Sequence, residues 1–269
     1  MLEGLTKYWG FYFVAAQDIN KVGIRDLADA LDRIGEDAQW VSDLRSVSPR
    51  KRALQNDLNK RIARRHLHIV LAARIIVFKL FLQLAIKVDG ELLDKHKRIW
   101  LLFQSGQVNL KRTHPFLHIM HDCLEDASPE ALHKLINRFN HIRDKYFPGS
   151  KFIIGLDEAQ QAARLYHDCF ISSTNSKTYR SIVREIAHVF RKLEIDLVVL
   201  GTGLSLEELR EAIASGVSKD DLFIFYDLGM FDTWEKLQPF LERYVPASFL
   251  QSPSGDHLQK RIREYLLGR

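Results

Sequence analysis

Two adjacent carboxylates, Asp157 and Glu158, close the short apolar run FIIGLDEAQ, Phe152 to Gln160. An aspartate at the tip of a buried strand can anchor Mg²⁺, usually through water, because Mg²⁺ keeps much of its hydration shell. A glutamate beside it can orient and deprotonate an attacking water. Four apolar residues and a glycine running into Asp-Glu form a Walker B pattern. The same pair also suits a plain helix start, where the helix dipole favours carboxylates. A second run, LVVLGTGLS, places Thr202 after a strand of the same kind. Thr202 fits a sensor, a polar group that feels a γ-phosphate or the attacking water. The plain alternative is a strand-to-helix turn, with Ser205 and Glu208 spaced as a capping box. Gln17 and Asp18 end a third apolar run.

These residues gain meaning only if strands carry them to one place. Trp9 to Ala16, Phe152 to Asp157 and Asp196 to Leu200 are continuously apolar and predict strands buried on both faces. Phe223 to Tyr226 predicts a further strand. Helical patterns separate them: Ile24 to Ile34, Arg50 to Lys87 after Ser48-Pro49, Glu91 to Phe103, Ser128-Pro129 to Tyr146, Ala159 to Phe170 and Tyr179 to Leu193. Alternation of this kind predicts an α/β fold with three layers, a parallel sheet between helices. In such sheets ligands sit at the carboxyl ends of the strands, where the residues named above fall. A large helical insertion is expected over about 49–146, within a core over 1–232, and a partial helical lid over 233–269.

No phosphate-holding loop accompanies these groups. The pattern GxxxxGK[ST] is absent, and the dipeptide Gly-Lys occurs nowhere in 269 residues. His114, His118 and His121 read as a helix face rather than a metal set, with no carboxylate or thiol spacing beside them. Cys123 and Cys169 read as reduced thiols. A net charge of +5 permits an anionic partner without requiring one. The basic residues Arg50, Lys51, Arg52, Lys60, Arg61, Arg64 and Arg65 suggest either a nuclear-import or nucleic-acid patch on helix 50–65 or a solvated helix face. Arg74 and Lys79 interrupt the apolar stretch Ile69 to Ile86, which therefore reads as a core helix, not a membrane span. No secretory leader is visible, so an intracellular place, cytoplasmic or nuclear, is expected, with export by an unconventional route left open.

FIIGLDEAQ, YRSIVREI, LVVLGTGLS, FDTWEKLQPFLERYVP and SPSGDHLQKRIREYLLGR together resemble fungal P-loop ATPase modules. Those modules belong to the AAA+/STAND group in families related to the Crinkler effectors. The resemblance implies ATP and Mg²⁺ as ligands and hydrolysis used as a conformational switch. It implies Asp157 as the metal anchor, Glu158 as the base and Thr202 as the sensor. It also implies a Walker A loop and helix just before LEGLTKYWGFYFVAAQD, so the chain reads as truncated there and in its lid. The rival expectation is a catalytically inactive module that binds protein or nucleic acid.

Overall fold

The computed structural model describes residues 2–17, 22–106, 114–171, 179–201 and 234–266. Asp18, Thr202, the Ser205–Glu208 capping box and the strand expected at Phe223 to Tyr226 lie outside them. The chain divides into two compact units, Met1–Lys219 and Asp220–Arg269.

In the first unit, helix α1 (Leu2–Lys7) leads into strand β1 (Trp9–Val14), and helix α2 (Asp26–Glu36) follows. Helices α3 (Pro49–Asp89), α4 (Asp94–Gln104), α5 (Pro115–His118) and α6 (Pro129–Tyr146) precede strand β2 (Phe152–Asp157). Helix α7 (Ala159–Leu165), a hairpin of β3 (Phe170–Ile171) and β4 (Tyr179–Arg180), and helix α8 (Val183–Phe190) lead to β5 (Asp196–Val199). Local chemistry sets several boundaries. Pro49 and Pro129 occupy first-turn positions that need no amide donor. The Ser128 hydroxyl accepts the Ala131 N–H at 3.2 Å, and Gly90, at φ +81°, ends α3.

Among the described residues, three strands form one parallel sheet in the order β1-β2-β5. Trp9 pairs with Phe152 through to Val14 with Asp157, and Ile153 with Asp196 through to Leu156 with Val199. Because side chains alternate across a strand, Trp9, Phe11, Phe13, Phe152, Ile154 and Leu156 share one face. That face meets Phe78 of α3, Phe139 of α6 and Phe190 of α8 in a single core. Tyr12, Val14 and Ile153 face the other way, onto Leu5 of α1 and Leu101 of α4. Helices α3 and α6, with α8, thus supply the main covering layer of the sheet. Burial on both faces holds for β1 and β2. It fails for β5, where Asp196 and Val198 are exposed, so the second layer covers only part of the sheet.

Among the described residues, side chains and not a further strand close the outer edge of β1. Gln104 of α4 accepts the Tyr12 N–H at 3.0 Å and donates to the Gly10 carbonyl at 3.1 Å. Trp100 donates its indole N–H to the same carbonyl at 2.8 Å. Gly10 has no room for a side chain: a Cβ would lie 2.3 Å from both the Ile153 carbonyl oxygen and Leu5 Cδ2.

Two expectations change. The helix from Ala159 stops at Leu165, and the one expected from Tyr179 begins at Val183. Between them β3 and β4 pair antiparallel. Side chains of α3 hold this hairpin: Asn56 Oδ1 accepts the Ile171 N–H at 2.8 Å, and Asn59 donates to the Cys169 carbonyl at 2.8 Å. Long-range hydrogen bonds override local helix preference there. The basic stretch is partly consumed by the fold as well. Arg52 donates to the Val47 carbonyl, Arg64 pairs with Glu185, and Arg65 donates to the Glu125 and Ala127 carbonyls. Arg50, Lys51 and Arg61 stay exposed.

Helix α3 is long and apolar enough to cross a membrane by length and composition. In its most apolar window 61% of the residues are buried within the protein, and Arg74 within it makes a buried ion pair, so it serves as a core helix. The second unit contains helices Trp234–Tyr244, Ala247–Leu250 and Pro253–Leu266, as the helical reading of its sequence expects.

Burial shapes the titration of one seam of this core. His68 of α3 is 5% exposed, and Lys192 donates to its Nε2 at 3.2 Å. Desolvation, then the charges of Lys192, His133 and Arg64, push its imidazole down to about 3. His66, His114 and His188 are lowered too, in each case first by burial. The unfolded chain binds these protons near pH 6.5 and the folded chain does not. Stability is therefore full above that pH and is lost as pH falls below it. Urea unfolding at pH 7 and pH 5.5 should differ by about 1 kcal/mol from His68 alone. His68→Gln should flatten that share. A stability unchanged between these pH values would refute the neutral, buried state of the cluster.

Candidate functional site

The carboxyl ends of the three parallel strands converge around Asp157. This residue is half-buried at the end of the middle strand. Its Oδ2 accepts the Tyr12 hydroxyl at 2.9 Å, and its Oδ1 accepts the Glu158 N–H at 3.0 Å. The Asp157 carbonyl accepts the Ala15 N–H at 3.0 Å, which binds the ends of β1 and β2 together. On the other side, Leu200 donates to the Leu156 carbonyl at 2.8 Å, and Ala159 donates to the Leu200 carbonyl at 3.0 Å. The strand that leads to Thr202 is thus the parallel neighbour of the Asp157 strand, as the sequence reading requires. Gly201 is exposed at its end, and Thr202 itself lies outside the described residues.

Glu158 has left-handed backbone angles, φ 53° and ψ 32°, just before α7. A side-chain-bearing residue adopts that conformation at a cost, and such residues cluster at functional turns. The turn carries the chain from the strand straight into α7 in one residue. Gln160 donates its amide to Glu158 Oε2. Gln17, three residues past β1, donates to the Gly23 carbonyl at 2.6 Å.

Asp157 and Glu158 offer hard oxygen donors at a strand tip. That set fits Mg²⁺, which is held by one or two carboxylates with water and phosphate oxygens completing its shell. It is no all-protein cage, since among the described residues no three His, Cys, Asp or Glu side chains gather to hold a metal. The three histidines each have other work. His114 accepts the Phe116 N–H at the start of α5, His118 contacts Asp122, and His121 lies 3.9 Å from Asp29. Cys169 is buried, with its thiol pushed well above the usual range by desolvation and donating to the Tyr166 carbonyl; Cys123 is exposed and free.

Sequence reasoning missed Tyr12. The signal was present in WGFYFV: Tyr12 alternates with Phe11 and Phe13 and carries the one hydroxyl of that strand. Only the parallel register, Tyr12 opposite Gly155 and two residues from the Asp157 level, shows which carboxylate it meets. No known protein family, characterised protein or solved structure matches this chain.

Proposed function

We propose that the chain carries the water-activating half of a P-loop ATPase site. Asp157 is its metal anchor, Glu158 its general base and Thr202 its sensor. The observation that supports this most is the Asp-Glu pair at the carboxyl tip of the middle parallel strand, with the strand leading to Thr202 beside it. Bound Mg²⁺ would neutralise charge on the phosphates of ATP. The Tyr12 hydroxyl and the Glu158 N–H fix the position of the Asp157 side chain, since both donate to its oxygens. Glu158, one residue on, takes a proton from water, and Gln160 orients its carboxylate.

The 269 residues contain no GxxxxGK[ST] loop, and such a loop supplies most phosphate contacts in this class. Calorimetric titration of Mg-ATP into this chain should therefore show no binding tighter than about 100 μM. Tight, Mg²⁺-dependent binding would overturn that expectation. In a longer protein with such a loop before Leu2, Glu158→Gln should abolish phosphate release while nucleotide stays bound. Asp157→Ala should weaken the effect of Mg²⁺ on affinity. Thr202→Ala should slow hydrolysis with less change in affinity. Turnover at the parent rate in Glu158→Gln would remove Glu158 from the role of base.

A second reading has one observation in its favour. Both Asp157 oxygens and the Glu158 carboxylate already accept hydrogen bonds from within the protein. A capped helix start needs nothing more, and the chain would then be a non-catalytic module that binds protein or nucleic acid, with Arg50, Lys51 and Arg61 of α3 free for contact. The Glu158→Gln measurement separates the two.

A further inference from the structure

We propose that Arg64, Ser181 and Arg184 form a binding site for a phosphate-class oxyanion at the seam between α3 and the start of α8. Arg64 and Arg184 bring two guanidinium groups to a seam with one buried carboxylate, Glu185. Glu185 is 1% exposed, and its Oε2 accepts from Arg64 Nε at 2.6 Å. Arg184 feels the charges of Glu185, Arg180 and Arg64 together. One carboxylate neutralises one guanidinium, so positive charge is left over in a partly buried place, where it is costly without a partner.

Two donors in this place lack an acceptor. Arg184 Nη1 and Ser181 Oγ are both shielded from solvent and make no hydrogen bond within the protein. The two residues are three apart at the start of α8, and the Arg184 N–H donates to the Ser181 carbonyl at 3.3 Å. Buried donors in folded proteins are almost always satisfied, so two together call for an acceptor. An oxyanion supplies acceptor oxygens and the missing negative charge at once, and guanidinium forks match phosphate geometry. Burial first, then Arg180 and Arg64 working against Glu185, hold the Arg184 guanidinium below its usual range. His188 and Lys192, further along the same helix and the turn after it, are lowered by burial and by Arg64 in the same way. The site is separate from Asp157 and does not rest on the ATPase reading.

The probe is inorganic phosphate, titrated calorimetrically into the full chain at constant ionic strength, with Mg²⁺-free ADP as a second arm. The expected dissociation constant for phosphate is on the order of 1 mM. Arg184→Gln should weaken it about tenfold or more, since charge-assisted bonds are the strong ones. Ser181→Ala, a smaller change that spares every charge, should weaken it several-fold. Glu185→Gln should tighten it, because the competing carboxylate is gone. ADP binding more tightly than phosphate assigns the site to a nucleotide phosphate, and equal binding assigns it to phosphate alone. No heat from either ligand, or phosphate binding unchanged in both Arg184→Gln and Ser181→Ala, overturns the proposal.

Discussion

Arg74→Met should destabilise the protein by about 3–5 kcal/mol, because it leaves the Asp26 charge buried and unpaired. Both side chains are fully buried. Arg74 grips Asp26 with two parallel bonds, Nε to Oδ2 at 2.5 Å and Nη2 to Oδ1 at 2.8 Å. Its third nitrogen donates to Gln104 Oε1 at 3.1 Å, the same oxygen that accepts the Tyr12 N–H. The guanidinium also lies 3.9 Å from the Phe116 ring centre and 4.8 Å from that of Phe13. One arginine in α3 thus links α2, α4, α5 and the edge of β1. Its loss also frees Gln104 to shift, so the closed edge of β1 should loosen. Urea denaturation measures the cost, and hydrogen exchange at Tyr12 reports the edge. The double variant Asp26→Leu/Arg74→Met should recover much of the loss, because apolar replacement of a whole buried pair is often neutral or better. A cost below about 1 kcal/mol for Arg74→Met alone would mean that the pair is not desolvated in solution.

Phe78→Ala should cost a comparable about 3–5 kcal/mol. Phe78 is fully buried where α3 crosses the sheet. Its ring centre lies 5.0 Å from Trp100, 5.5 Å from Phe11, 5.6 Å from Trp9, 5.7 Å from Phe152 and 5.9 Å from Phe147. Removal leaves a cavity walled by rigid rings that cannot collapse into it, and it also removes edge-to-face contacts. For a unit of this size each kcal/mol lowers the melting temperature by about 2–4 °C, so a fall of roughly 6–20 °C is expected. Phe78→Leu should lose a smaller part. Near-equal melting of Phe78→Ala and the parent protein would place α3 elsewhere than on this sheet face.

The sequence by itself determined the elements whose signal is local. Trp9–Val14, Phe152–Asp157 and Asp196–Val199 were legible as strands because each is an apolar run of strand length, with a carboxylate only at the end of the second and the start of the third. The long helix was legible because Pro49 opens it and no breaker follows before Gly90. The Asp157-Glu158 pair was legible as a candidate site because a strand tip in a parallel sheet is where ligands bind. The short hairpin was not legible, since strands of two residues carry no period and depend on Asn56 and Asn59, more than a hundred residues earlier. Nor were the partners of charged groups. Arg74 announced itself as a charge inside an apolar stretch, yet nothing local pointed to Asp26, 48 residues before it. Arg64 looked like part of a basic helix face, and only the docking of α8 on α3 turned it toward Glu185, 121 residues away. Periodicity records which face of an element avoids water. Which buried charge meets which depends on how distant elements dock, and the tertiary structure alone decides that.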